Sequence, residues 1–325
     1  MRRLAAALAL VCLLAASAGA ESIKVLILDE DFNRVPAPGE RLSLLDTKEG
    51  RLFLGYSEYS GKIEAWKGEK GLYLINELPL EEYVEGVVKA ETGKDWAYEA
   101  LKAQAVIVRT YVLHQKKANL DRQYNVTSTV LHQLYRGKNS DSIITAAVAA
   151  TEGEVLTYGG EPIVAYYHST SGGRTELPEE VFGRSYPYLT SVETPNNLSP
   201  YSIWTRRIPL KEIEEATGVK HLRGMEVLSL TKTGRVKELR LISNPSTADL
   251  KATDFRRMLG WKKLPSTNFS LTVNGDTAVF EGKGYGHGVG LCQWSALEMA
   301  KAGKTYREIL DYFYPGAELV RYEVR

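Results

Sequence analysis

Residues 78–117 read LPLEEYVEGVVKAETGKDWAYEALKAQAVIVRTYVLHQKK. Tyr83, Val84, Val87 and Val88 recur at helical spacing, with Pro79 at the start and Gly93 just past the end, so the spacing predicts a helix over 78–91. A second helix is expected over 97–117, where Ala97, Leu101, Ala105, Val108 and Val112 line up as one apolar stripe. Upstream the period is different. Residues 22–79 alternate apolar and polar, and 23–28, 42–45, 51–54, 62–66 and 71–75 read as short strands between turns such as Pro36-Ala37-Pro38-Gly39. Strands followed by helices imply an α+β fold, with helices packed on mixed or antiparallel sheets and a small β-rich region at the N-terminus.

The rest of the chain keeps mixing the two periods. Residues 141–152 read as a third helix, capped by Asp141 and ended by Gly153. Residues 154–169 give strand, Gly159-Gly160 turn and strand, a hairpin signal. Polar loops and Trp204 precede a helical stretch over 210–218. Strands are expected over 225–245 and 268–281, and helices over 292–303 and 305–314. The expected organisation is a leader over 1–20, a β-rich region over 21–74 and a main domain over 75–325.

The leader is read from its parts. Arg2 and Arg3 precede an apolar run over 4–14, and Ala18-Gly19-Ala20 is an A-x-A cleavage site. The run is too short to span a bilayer, and no later segment is apolar enough to do so. Cys12 lies inside the run and is read as incidental. The mature chain is expected to be secreted, with Cys292 as its lone cysteine and hence no internal disulfide. Lys and Arg number 41 against 40 Asp and Glu, a balance that argues against a nucleic-acid partner.

Residues 281–296 read EGKGYGHGVGLCQWSA, with Gly282, Gly284, Gly286, Gly288 and Gly290 at every second position. In an extended segment these glycines fall on one face, which another backbone or a bulky ligand can approach closely. His287 is then delivered close to the N-terminus of the following helix, where negative charge is favoured. A tight strand-to-helix crossover without chemistry fits equally well. Neither the dinucleotide fingerprint nor the P-loop occurs. Three further marks stand out. His168 ends a strand before the polar loop Ser169-Thr170-Ser171-Gly172-Gly173, either as a working residue or as a turn cap. Glu91 closes a helix at the negative end of its dipole, where desolvation would raise its pKa into the range of a general acid; the alternative is a solvated surface glutamate. Along the second helix, Lys102 and Arg109 share one face and Gln104 and Tyr111 another, and a glutamine beside an Ala/Val seam needs a partner. Metal motifs are missing, and the spacing of His132, His168 and His287 gives none.

Taken together, LPLEEYVEGVVKAE, EALKAQAVIVRTYVL, YYHSTSGGRTE and GYGHGVGLCQWSA resemble, in order, the signatures of the stage II sporulation protein D (SpoIID/LytB) family over roughly residues 75–315. The resemblance implies a secreted peptidoglycan enzyme. Such a lytic transglycosylase cleaves the MurNAc–GlcNAc β-1,4 bond, preferably of peptide-stripped strands, and leaves 1,6-anhydro-MurNAc ends. The family's catalytic glutamate falls on Glu91. Lys102, Gln104, Arg109 and Tyr111 match the second motif, and His168, Ser169, Ser171, Gly172 and Gly173 the third. Tyr285, Gly286, His287, Gly288 and Gln293 match the fourth; the matched residues of the second, third and fourth motifs, Gly286 apart, are the expected substrate-binding set.

Two departures qualify the resemblance. Zinc-binding members carry cysteine and histidine before a Gln-x-Tyr-x-Gly motif, here Gln133-Leu134-Tyr135-Arg136-Gly137. Only His132 precedes it, so no zinc and no cofactor are expected. Members commonly follow the motif's alanine with an acidic-Met-Pro sequence, whereas this chain has Glu91-Thr92-Gly93. The expected partners are peptidoglycan glycan strands and, because some members are described as amidase enhancers, a cell-wall amidase. The expected location is the periplasm or cell-wall space. The alternative function is a non-catalytic peptidoglycan-binding or amidase-enhancing module. A metal hydrolase using His132, His168 and His287 ranks below both.

Overall fold

The computed structural model describes residues 21–28, 46–48, 51–54, 57–68, 71–93 and 95–322. The leader over 1–20 with Arg2, Arg3 and Cys12, the turn over 36–39 and the strand expected over 42–45 lie outside the described residues. The architecture is α+β, with small, mostly antiparallel sheets.

Strand Gly71–Pro79 lies between Lys62–Gly68 and Ser22–Ile27, antiparallel to both, and Val126–Thr127 joins Ser22–Ile27 in parallel. The chain leaves this sheet directly into helix α1, Leu80–Glu91. The helix starts later than its apolar period suggests because Pro79 still pairs with Ser22, and the Leu80 N–H still donates to Glu21 O. Sheet pairing holds the backbone extended up to that point.

Helix α2, Tyr98–Ala118, is the centre of the molecule. Its expected stripe of Leu101, Ala105, Val108 and Val112 packs with Tyr83, Val84, Val87 and Val88 of α1. A second set, Ala103, Val106, Ile107 and Tyr111, is buried in a different cluster with Leu156, Ile163, Val164 and Leu291. A helix apolar on both sides must be covered on both sides. Helix α3, Ser142–Ala150, joins the first cluster, and the Asp141 side chain accepts from the Ile143 N–H as its cap. Strand Glu154–Tyr158 and the turn at Gly159-Gly160 follow, and a short helix α4 spans Pro178–Phe182.

Residues 204–282 build a third apolar cluster of their own. It contains helices α5, Leu210–Thr217, and α6, Ala252–Leu259. Trp204–Pro209, Thr277–Gly282 and Phe269–Asn274 form one antiparallel sheet, and Leu222–Leu230, Val236–Ser243 and Ala248–Lys251 another. Strand Trp204–Pro209 and helix α6 are absent from the sequence reading. The first buries only Trp204 and Ile208, and the second is short and carries two adjacent arginines, so neither prints a clear period. Helices α7, Gln293–Lys301, and α8, Tyr306–Phe313, then return to the second cluster, α8 opening on a capping box between Thr305 and Glu308. The chain ends by pairing Glu318–Arg321 with Glu154–Tyr158.

Arg109 locks these layers together. Its side chain is fully buried, and Nε and Nη2 donate to the two carboxylate oxygens of Glu81 at 2.8 and 2.6 Å. Nη1 donates to Glu154 O at 3.0 Å, so one guanidinium ties α1, α2 and the strand after α3. Removing one partner of such a pair strands the other. Arg109→Met is expected to lower unfolding free energy by about 3 kcal/mol in urea denaturation.

Candidate functional site

Helix α1 ends at Glu91. The Thr92 N–H and hydroxyl both donate to Val88 O, at 3.0 and 2.7 Å, and close the helix at its carbonyl end. The Glu91 side chain turns into a cavity of about 450 Å³. Its Oε1 accepts the Leu134 N–H at 2.8 Å and the Tyr167 hydroxyl at 3.2 Å. Leu134 is held at that distance by its two neighbours. Gln133 and Tyr135 are fully buried, with the Tyr83 hydroxyl donating to Gln133 Oε1 at 3.0 Å and the Tyr135 hydroxyl to Asn76 Oδ1 at 2.9 Å. Anchoring both sides fixes the intervening amide. Burial raises the Glu91 pKa above the ordinary carboxylate range, and the opposing effects of the Leu134 amide, Tyr167, Gln293 and Arg136 do not cancel it. Burial, with the Glu91 charge, also keeps the Tyr167 hydroxyl protonated as a donor. Gln293, the first residue of α7, lies beside the same carboxyl, although its Nε2 closes no hydrogen bond of good geometry.

The glycine-rich segment is not an extended strand with a bare face. Gly282 ends a strand, but Gly284, Gly286, Gly288 and Gly290 all have positive φ, between 72° and 112°. What comes close is the chain itself. A Cβ on Gly290 would lie 1.9 Å from Tyr166 O, and one on Gly286 would lie 2.8 Å from His168 Cβ. The neighbouring backbone bonds across this gap. Thr170 and Tyr285 exchange N–H···O bonds at 3.0 and 2.8 Å, and Tyr167–His168 pairs in parallel with Leu291–Cys292. The same pairing sets the Tyr167 hydroxyl on Glu91.

His168 and His287 meet here, with ring centroids 5.6 Å apart, and both grip Val289. His168 Nδ1 lies 3.1 Å from Val289 O, so it carries the proton and leaves the lone pair on Nε2. His287 Nδ1 accepts the Val289 N–H at 3.0 Å. Burial, reinforced by Arg256 and Arg235, pushes the His287 pKa down to about 3. Burial, then His287 and Arg235, holds His168 well below its ordinary value. Both imidazoles are therefore neutral at physiological pH. Arg235 comes from the module over 204–282. Its buried guanidinium donates to Ser171 O at 2.5 Å, sits 3.8 Å from Glu176, and lies where a Cβ on Gly288 would touch it at 2.7 Å.

Of the residues singled out in the sequence, Glu91, Tyr111, His132, His168, Ser169, Tyr285, Gly286, His287 and Gln293 line one cavity. Lys102, Gln104, Arg109, Ser171, Gly172, Gly173 and Gly288 do not. Lys102 pairs with Glu99 over the Tyr98 and Tyr306 rings, and Arg109 serves Glu81. Gln104 is buried with neither end of its amide bonded to the protein, and nothing in the structure explains it. Ser171 bonds Thr194, while Gly172 abuts Lys283 and Gly288 abuts Arg235. Tyr167 and the Leu134 amide were not chosen from the sequence. Both stand within stretches already marked, one residue before His168 and inside Gln-x-Tyr.

Comparison with known proteins finds relatives and family matches along the chain. A family model described as "Stage II sporulation protein" (SpoIID) matches residues 68–158, and one described as a domain of unknown function (DUF8618) matches 204–290. Stage II sporulation protein D of Bacillus subtilis is 36% identical over 263 residues, covering 75% of each chain. An uncharacterized protein of Brachyspira hyodysenteriae is 33% identical over 286 residues, 86% of this chain and 76% of that one. A Bacillus subtilis protein named amidase enhancer is 29% identical over 294 residues, 74% of this chain and 40% of that one. The chain belongs to the SpoIID family, a family involved in peptidoglycan processing.

A buried acid with a raised pKa costs stability at neutral pH. Below the unfolded pKa both states hold the proton and Glu91 contributes nothing. As pH rises, the unfolded chain ionises first, and above the folded pKa the full penalty applies. Glu91→Gln is therefore expected to raise the melting temperature at pH 7, with the gain shrinking toward zero as pH falls through the ordinary carboxylate range.

Proposed function

We propose that this protein is an exported lytic transglycosylase that cleaves MurNAc–GlcNAc β-1,4 bonds of peptidoglycan, with Glu91 as general acid and then base. The observation that carries the reading is a desolvated carboxyl with a raised pKa, facing a cavity. Oε1 is taken by two donors, which leaves Oε2 to carry the proton. His168 and His287 are neutral and burial lowers the His132 pKa as well, so Glu91 is the group there whose proton can change hands near neutral pH.

Glu91 gives its proton to the glycosidic oxygen as the bond from that oxygen to MurNAc C1 breaks. The MurNAc C6 hydroxyl oxygen attacks C1, and Glu91 takes the hydroxyl proton back. Water is neither consumed nor released, and one carboxylate serves both steps. Ordinary glycosidases divide this work between two carboxylates. The other carboxylate lining the cavity, Asp254, is half-exposed and paired with Arg257. His168 lines the cavity, and its Nε2 is buried without a partner in the protein. The leader read over 1–20 supports export to the periplasm or cell-wall space.

The similarity to a protein named amidase enhancer favours a second reading, a module that binds peptidoglycan and assists an amidase without cutting. Mass spectrometry of peptidoglycan digests separates the two. The wild-type protein is expected to release 1,6-anhydro-MurNAc ends, and Glu91→Gln to lose at least about a hundredfold in rate. Reducing ends would mean hydrolysis by water, and binding without products would favour the second reading. Activity is also expected to fall as pH rises through the raised Glu91 pKa, because the acid must start protonated.

A further inference from the structure

The two walls of the cavity come from different parts of the chain. One carries Glu91, Tyr167 and His168. The other comes from residues 204–282 and carries Thr253, Asp254, Arg256, Arg257, Trp261 and Thr267. Phe255 and Leu259 bury the opposite side of α6 in the module's own core, which fixes this wall rigidly.

Trp261 is braced from within the module. Arg256 is buried, and its Nε and Nη2 donate to the carbonyls of Leu264 and Pro265 at 2.9 and 2.7 Å. Its guanidinium carbon then lies 4.5 Å from the centre of the Trp261 ring. A planar cation with its donors spent on backbone makes a stiff support for a planar indole. The indole itself is partly exposed and lines the cavity. Arg257 is paired with Asp254 at 3.1 Å. This wall thus offers a flat aromatic surface flanked by planar polar groups, rather than an unpaired charge. The ligand chemistry that matches is a pyranose ring, with a flat C–H face for the indole and equatorial hydroxyl and acetamido groups for the rim.

We propose that Trp261, stacked on Arg256, is a saccharide subsite of the cavity, holding an N-acetylated hexosamine ring of the strand that Glu91 cuts. The proposal rests on the glycan reading of Glu91 and assigns a task to the module. The strand spans the two walls, with Tyr285 and Gly286 between them. The module thereby sets how firmly the strand is held, and Glu91 sets what happens to the bond.

The test is calorimetric binding of amidase-stripped glycan strands to full-length Glu91→Gln protein, which holds the strand without cutting it. In that background Trp261→Ala and Trp261→Leu are expected to weaken binding by about tenfold or more, and Trp261→Phe by less than about threefold. The leucine variant keeps apolar bulk on Arg256 but has no flat face, so it decides the matter if the alanine variant does not fold. Leucine binding as tightly as phenylalanine would overturn the subsite and leave the glycan reading intact. No binding by the Glu91→Gln parent itself would overturn both.

Discussion

One carboxyl group is held half-buried in a cavity at the carbonyl end of a helix, and the site is organised around that position. Solvent would return Glu91 to an ordinary carboxylate pKa and remove its value as an acid. The protein keeps it desolvated while supplying two donors to one oxygen only. Those donors come from elements far apart in sequence. Leu134 is presented by a loop anchored on both sides, and Tyr167 by a two-residue strand held against Leu291–Cys292. Neither element would hold its place without α2, which is covered on both faces and carries Arg109 between the layers.

The glycines serve the same end by a different route than a ligand wall. They let residues 284–290 pass against 166–171 closely enough for backbone bonding, and Arg235 fills the space behind Gly288. The cost of four positive-φ positions is met by the register it secures, because that register carries His168 and Tyr167 into the cavity together. Two neutral imidazoles bonded to the backbone of one residue, Val289, give an uncharged floor. In the proposed reaction a developing positive charge on a sugar ring would meet no fixed imidazolium there, and the proton chemistry would stay with Glu91.

Much of this was legible in the sequence where a single period or end signal controls the outcome. The stripe on α2, the end of α1 at Glu91 and the cap at Asp141 follow from local chemistry. The second apolar face of α2 was present in the letters, but a stripe reading looks for one face and stops. The glycine run was misread as extended because period two fits both a strand and an alternation of positive-φ turns. Tyr167 was passed over because nothing local tells which of two adjacent residues points at a partner 76 positions away. Trp261 and its arginine support lie in a stretch whose short helix prints no clear period, and their meaning appears only once the module closes against the other wall.

The most direct measurement is a carbon-13 NMR titration of the Glu91 carboxyl, with its resonance assigned by its absence from Glu91→Gln protein. The account predicts a midpoint above the ordinary glutamate value of about 4.3, because burial outweighs the two donors. A midpoint at or below that value would contradict it. Glu91 would then be a hydrogen-bonded, ionised carboxylate without a proton to give, and the general-acid reading of the cavity would fall.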